Sequence, residues 1–166
     1  KNGVNYNGYK NIIGTITQPE FVLCDTAMLS TLSDAEYSTG AAEIIKAAYI
    51  ADASLIDYLH ENVDRFLARD ADVVHHLVLR SVQIKAVVVE QDEHENSIRR
   101  TLNFGHTLAH AIEKCALLTH GEAVAIGMVF AAKISQVRGL IAPSLVASLE
   151  KLIAAVNLPL SIASLG

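Results

Sequence analysis

The sequence predicts a mainly α, multihelical domain with a short N-terminal loop/strand segment, and three observations carry that expectation. Apolar residues recur at helical spacing over residues 41–50, 52–67, 70–89, 122–138 and 144–156. Helix-start signals stand where those runs begin: Ser33 with Glu36 three residues later, Asp52, Asp70 and Pro143. With 166 residues, 51% of them hydrophobic, the chain is long enough to close one core without disulfides.

Residues 1–14 (KNGVNYNGYKNIIG) are dense in Asn and Gly and read as a turn-rich loop, with Lys1, Lys10 and Asn11 its chemically capable members. Residues 21–25 (FVLCD) follow Gln18-Pro19 and read as a short buried strand. A capping box at Ser33 opens the first helix, and a second start is read near residues 38–40. The run AAEIIKAAYI is apolar except for Glu43 and Lys46, three apart and hence on one face, either as an ion pair at the core edge or with Glu43 free to serve a site. Residues 52–67 and 70–89 are framework helices whose His60, His75 and His76 lack partners at ligand spacing. Lys85 stands inside IKAVVV, where an ammonium either snorkels to water or has a task. Residues 91–97 (QDEHENS) read as a solvated acidic turn. Residues 122–138 are apolar nearly all round, which predicts a central buried helix, with Gly127 marking close packing.

Charge and cysteine usage exclude several classes. A formal net charge of -5 without a Lys/Arg cluster argues against nucleic acid, and no apolar run is long enough to span a bilayer. Cys24 and Cys115 are isolated, with no CxxC spacing, which fits a reducing, cytoplasmic setting. Neither GxGxxG nor a P-loop is present. The opening on Lys1 leads us to expect a piece of a longer protein.

Chemistry concentrates in residues 99–121 (RRTLNFGHTLAHAIEKCALLTHG). His106 and His110 are four apart and share a helix face, Gly105 permits close approach before them, and His120-Gly121-Glu122 opens the next helix. Two imidazoles from neighbouring helices and one distant carboxylate would suit a divalent metal with an open position.

As a set, KN-IIG (Lys10, Asn11), AEIIK (residues 42–46), IKA-VV (Lys85), DE-E---R (residues 92–99), NFGHTLAHAIE (residues 103–113) and HGEAVAIGM (residues 120–128) resemble the C-terminal, metal- and substrate-binding domain of the dehydroquinate synthase family, in order over nearly the whole chain. The resemblance implies one helical domain over residues 1–166, preceded in the family by an NAD-binding domain that the chain lacks and followed by a basic C-terminal segment. It implies Zn2+ or Co2+ held by Glu43, His106 and His120. Lys46, Lys85, Arg99, Asn103 and His110 then hold substrate, joined by Lys10 and Asn11, with Glu95 supporting the cluster. Lys1, Lys10, Met28, Leu29, Ser30 and Thr31 contact NAD. The implied reaction converts a seven-carbon keto acid phosphate, a sugar acid phosphate substrate (DAHP), to dehydroquinate with release of phosphate, as in the shikimate pathway of aromatic amino acid biosynthesis; a homodimer is the compatible assembly. The connection from His110 to His120 is shorter than is usual in the family, and Ala109 replaces a glycine. Related sugar phosphate cyclases share the scaffold. Glycerol-dehydrogenase-like metal-dependent alcohol dehydrogenases use Asp where Glu43 stands and lack the lysine-rich pocket, and a non-enzymatic helical binding module would use its histidines only structurally.

Overall fold

A computed structural model of the chain describes residues 2–7, 9–15, 18–115 and 118–165, without the side chains of residues 2, 5, 9–11, 114, 115, 164 and 165. Lys1 and the side chains of Lys10, Asn11 and Cys115 thus lie outside the described residues. The chain is mainly α, as its periodicity predicts. An antiparallel hairpin, β1 (Asn2–Tyr6) and β2 (Tyr9–Thr15), precedes six α-helices: α1 (Asp34–Ala51), α2 (Ala53–Leu67), α3 (Ala71–Gln91), α4 (His106–Cys115), α5 (His120–Val137) and α6 (Pro143–Ala155). Short 3-10 turns η1 (Thr26–Thr31), η2 (Ile98–Asn103) and η3 (Ile162–Leu165) join or end them. No helix among the described residues is long and apolar enough to cross a membrane.

Local signals account for most boundaries. The Glu36 amide donates to Ser33 Oγ and the Ser33 amide to Glu36 Oε2, a complete capping box. Helix α1 then runs unbroken to residue 51, so the second start read near residues 38–40 is absent: Gly40 is tolerated inside a helix held by the cap and by packing. Asp52 ends α1 and caps α2 by accepting from the Leu55 amide, while its other oxygen accepts from Arg80 on α3 at 2.6 Å. One carboxylate therefore ties three helices. Helix α2 buries Leu55, Leu59 and Phe66 and turns Asp57, Glu61 and Asp64 outward.

The core forms where α1 crosses α5. Ala41, Ala42, Ile45 and Ala48 of α1 face Ala123, Val124, Ala125, Met128 and Ala132 of α5, and α2, α3, α4 and α6 close around them. Small residues let the backbones approach. A Cβ on Gly121 would fall 2.2 Å from the Thr39 carbonyl oxygen, and one on Gly127 would fall 2.0 Å from the Gly105 carbonyl oxygen. The expectation of close packing at Gly127 thus holds.

Two N-terminal readings need correction. The described residues of the Asn/Gly-rich segment 1–14 form a hairpin instead of a loop: Asn7 takes a left-handed conformation (φ 50) that Asn tolerates, and Tyr6 pairs with Tyr9. Residues 21–25 are not a buried strand. Phe21 is 81% and Leu23 83% exposed, and no described strand lies beside them to supply a ladder, without which an apolar run has no reason to be a strand.

Candidate metal and substrate site

Three helix positions meet at one point for traceable reasons. Gly121 seats the first turn of α5 on Thr39, and the Thr39 and Thr119 hydroxyls share a hydrogen bond of 3.0 Å. Thr39 lies one helical turn before Glu43, so Glu43 comes level with His120, the first residue of α5. On the other side Gly105, at φ +81, turns the chain from η2 into α4 against Gly127 and Met128. That turn brings His106, the first residue of α4, to the same place.

The resulting geometry is that of a donor set. His106 Nε2 and His120 Nε2 each lie 3.7 Å from Glu43 Oε1, and the ligand atoms of the three residues are within 4.8 Å of one another. The Nδ1 atoms are already engaged, His106 with the Phe104 carbonyl at 3.2 Å and His120 with Glu113 Oε1 at 3.3 Å. Donation from Nδ1–H leaves the lone pair on Nε2, aimed at Glu43. Burial and the Lys46 ammonium push the His106 imidazole below its ordinary pKa, against the pull of the Phe104 carbonyl and Glu43, which favours the neutral form. Glu43 Oε1 is buried without a hydrogen-bond partner, whereas Oε2 accepts from Lys46 Nζ at 2.6 Å. An orphaned carboxylate oxygen facing two imidazole Nε2 atoms fits a divalent cation, which would satisfy all three. Both readings of Glu43 hold at once, since one oxygen forms the ion pair and the other faces the histidines.

The remaining sequence-predicted residues within the described part fall into four groups. Lys46, only 6% exposed, and His110, whose ring lies edge-on to His106 at 5.7 Å, adjoin the triad. Arg99, Asn103 and Glu95 form a second cluster, in which Asn103 Nδ2 donates to Glu95 Oε1 at 2.8 Å and Arg99 Nη1 donates to the Glu93 carbonyl at 2.6 Å. Lys85 is exposed on α3, the helix against which η2 packs, and has no hydrogen-bond or ion-pair partner among the described residues. Met28, Leu29, Ser30 and Thr31 lie in η1, with the Met28 side chain 66% exposed. Helix α3 carries His76 against the Tyr58 ring, and His60 bonds Ser148, so neither joins the triad.

Two residues escaped the sequence reading. Glu113, its side chain 7% exposed, orients His120; its signal is the spacing of seven from His106, which places it two turns along the same face. Asp92 is the other, and it corrects the reading of residues 91–97 as a solvated turn. It is 8% exposed and accepts from the amides of Asn96, Ser97 and Arg99, so the polar turn folds around a buried carboxylate. Burial pushes this carboxyl up, but the amides and the Ser97 hydroxyl outweigh it and hold it down to about 2. A depressed pKa stabilises the fold above the ordinary value of 3.8, and that contribution is lost as the pH falls through about 2. Asp92→Asn should already lose the turn at neutral pH, because the amide NH2 opposes backbone donors. Thermal melts at pH 7 and in acid check this: the variant should melt lower at pH 7, and the gap should close toward pH 2.

Comparisons with known proteins agree with this architecture. Residues 40–166 match the 3-dehydroquinate synthase C-terminal family, and residues 1–39 match the 3-dehydroquinate synthase N-terminal family. The chain is 45% identical over 165 residues to 3-dehydroquinate synthase of Geobacter sp. (strain M21), covering 98% of this chain and 46% of that protein. It is 46% identical over 164 residues to the enzyme of the same name from Acinetobacter baumannii (strain AYE), covering 97% and 46%. The chain thus spans about half the length of the relatives it matches. Among solved structures, 2-epi-5-epi-valiolone synthase from Streptomyces hygroscopicus subsp. jinggangensis 5008, with NAD+ and Zn2+ bound, superposes with a TM-score of 0.87 at 30% identity over 95% of this chain and 45% of that one. A 2-deoxy-scyllo-inosose synthase complexed with carbaglucose-6-phosphate, NAD+ and Co2+ gives 0.83 at 27% identity, over 93% and 42%. The fold is the helical module that these two synthases share. The chain belongs to the 3-dehydroquinate synthase family.

Proposed function

We propose that this chain is the metal- and substrate-holding part of a dehydroquinate synthase, which cyclises a seven-carbon keto acid phosphate with NAD and a divalent metal and releases phosphate. The observation that carries the reading is the convergence of Glu43 Oε1, His106 Nε2 and His120 Nε2 with both Nδ1 atoms engaged. These three residues would hold Zn2+ or Co2+. A cation there would supply Lewis-acid polarisation of substrate oxygens, and a nicotinamide nucleotide would supply reversible hydride transfer.

The chain's own residues do the rest. Lys46, Lys85 and Arg99 supply charge-assisted bonds to the substrate carboxylate and phosphate, which persist as negative charge moves onto the leaving group. Glu95 fixes the Asn103 amide and so leaves its oxygen to accept from a substrate hydroxyl. His110, exposed beside His106, moves a proton or donates to phosphate. The family resemblance assigns Lys10 and Asn11 to the substrate, and Lys1, Lys10 and residues 28–31 to the nicotinamide nucleotide; of these, residues 28–31 form η1.

The nucleotide itself needs a second domain. Val4, Tyr6, Ile12, Ile13, Phe21, Val22 and Leu23 are all more than half exposed, all within the segment that matches the N-terminal family, and apolar exposure on this scale favours a covering partner. The 166-residue chain alone should therefore bind metal yet release no phosphate above background with NAD and substrate, because half a cleft holds no near-attack geometry. The two-domain enzyme should be active. NAD-dependent turnover by residues 1–166 alone would overturn this division of labour, and an inactive two-domain enzyme would overturn the function. The likeness to two other sugar phosphate cyclases favours a second reading, a cyclase with a carboxylate-free sugar phosphate as substrate, which the same assay separates by substrate.

A further inference from the structure

Arg69 stands where two other helix ends place Gly or Asn. Helices α2, α5 and α6 end in the same motif, with two backbone bonds closing the last turn around a left-handed residue. In α5 and α6 that residue is Gly139 (φ 70) and Asn157 (φ 61), the types that adopt the conformation most readily. In α2 it is Arg69, at φ 58, where the Arg69 amide donates to the Phe66 carbonyl and the Asp70 amide to that of Arg65. A long, branched-tip side chain has no local reason to stand there, so the reason lies in what its tip does.

Both terminal nitrogens of the guanidinium bind one short segment. Nη1 donates to the Leu29 and Ser30 carbonyls at 3.0 Å each, and Nη2 donates to the Leu32 carbonyl at 2.7 Å and to Asp34 Oδ1 at 3.0 Å. Its carbon lies 4.8 Å from the Tyr37 ring centroid, and the Tyr37 hydroxyl is itself anchored on the Phe66 carbonyl. Asp34 is fully exposed, so the ion pair adds little, and the three carbonyls carry the attachment. The other ties of η1 are the half-buried Leu29 against the core, the Asp25 cap and the Ser30 and Thr31 hydroxyl bonds within the turn itself. None of its residues is buried, and its bonds across the turn, from the Met28 and Leu32 amides, are long at 3.3 Å.

The location gives the contact a function. Arg69 belongs to the part of the chain that matches the C-terminal family, residues 40–166, while everything it grips except the Tyr37 ring is backbone or carboxylate of residues 29–34, and all of it falls in residues 1–39, which match the N-terminal family. We propose that Arg69 is a positioning residue that clamps η1 onto the helical module and thereby sets the turn of residues 28–31 at the angle from which it meets the nicotinamide nucleotide. This rests on the proposed function for the identity of the ligand, but the clamp itself does not.

The test uses Arg69→Gly, which improves the local helix end and removes the clamp, together with Arg69→Lys, which keeps the charge and loses the fork. Amide exchange in the 166-residue chain should quicken about tenfold or more at Met28 and Leu32 in Arg69→Gly, less in Arg69→Lys, while amides in α1 and α5 keep their parent rates. In the two-domain enzyme Arg69→Gly should raise KM for NAD about tenfold and leave kcat within about twofold. Parent exchange rates at Met28 and Leu32, or uniform acceleration across α1 and α5, would overturn the clamp. Quickened exchange with an unchanged KM in an active enzyme would overturn its link to the nucleotide, and an inactive parent enzyme would reject the proposed function while leaving the exchange result standing.

Discussion

Glu43→Gln should weaken zinc binding by more than about 100-fold, since changes to residues that merely orient metal ligands already cost 10–100-fold and this one removes a ligand charge. The same substitution should also lower the stability of the metal-free chain. It leaves the Lys46 ammonium, whose side chain is 7% exposed, facing a neutral amide. Loss of one partner from a fully buried pair costs about 3–5 kcal/mol; because the Glu43 side chain is 46% exposed, we expect nearer 2 kcal/mol. Metal affinity by competition with a chromophoric chelator and thermal melts of the apo chain read the two effects separately. Lys46→Met should do the opposite, keeping the carboxylate for the metal while removing its ion pair. A Glu43→Gln chain that binds zinc as the parent does would remove Glu43 from the site.

Gly127→Ala should be strongly destabilising. The new Cβ would stand 2.0 Å from the Gly105 carbonyl oxygen and 2.9 Å from its carbon, and both neighbours are backbone, so no rotamer can relieve the clash. Helices α4 and α5 must separate. Overpacking commonly costs 1–3 kcal/mol, and with rigid backbone on both sides we expect about 3 kcal/mol or more. That corresponds to a fall in Tm of about 6–12 °C for a domain of this size. Because the same contact carries His106 to the triad, zinc affinity should fall with it even though no ligand is altered. The control is Gly40→Ala: nothing lies within 4 Å of a Cβ there, and the exposed mid-helix position should gain about 1 kcal/mol. Equal melting of Gly127→Ala and parent would contradict the packing described.

What could be read ahead of the structure was what repeats along the chain. Helical period and cap chemistry placed α1 to α3, α5 and α6 to within a few residues, because Ser33, Asp52, Asp70 and Pro143 act on their own first turns. The histidine pair and the one acid inside an apolar helix were legible for the same reason: polar groups among apolar neighbours stand out. What escaped depends on contacts distant in sequence. Asp92 looked like one more acid in an acidic turn, and only the folded turn shows its carboxylate turned inward toward three amides. Arg69 carries no signal of its own in the sequence, because its partners lie 35 to 40 residues earlier. Residues 21–25 failed as a strand because a ladder needs a neighbour, which a run of Phe, Val and Leu cannot reveal by itself.

The central claim is that Glu43, His106 and His120 hold one divalent cation, and cobalt reports on it most directly. Titrating Co2+ into the metal-free chain should give one equivalent bound, with visible absorption of a low-coordinate nitrogen/oxygen site and X-ray absorption showing two imidazole nitrogens at about 2.0–2.1 Å. The spectrum should vanish in His106→Ala and in His120→Ala and persist in His60→Ala, whose ring bonds Ser148 away from the triad. Stoichiometric binding that survives loss of either triad histidine, or no binding by the folded parent, would contradict the account.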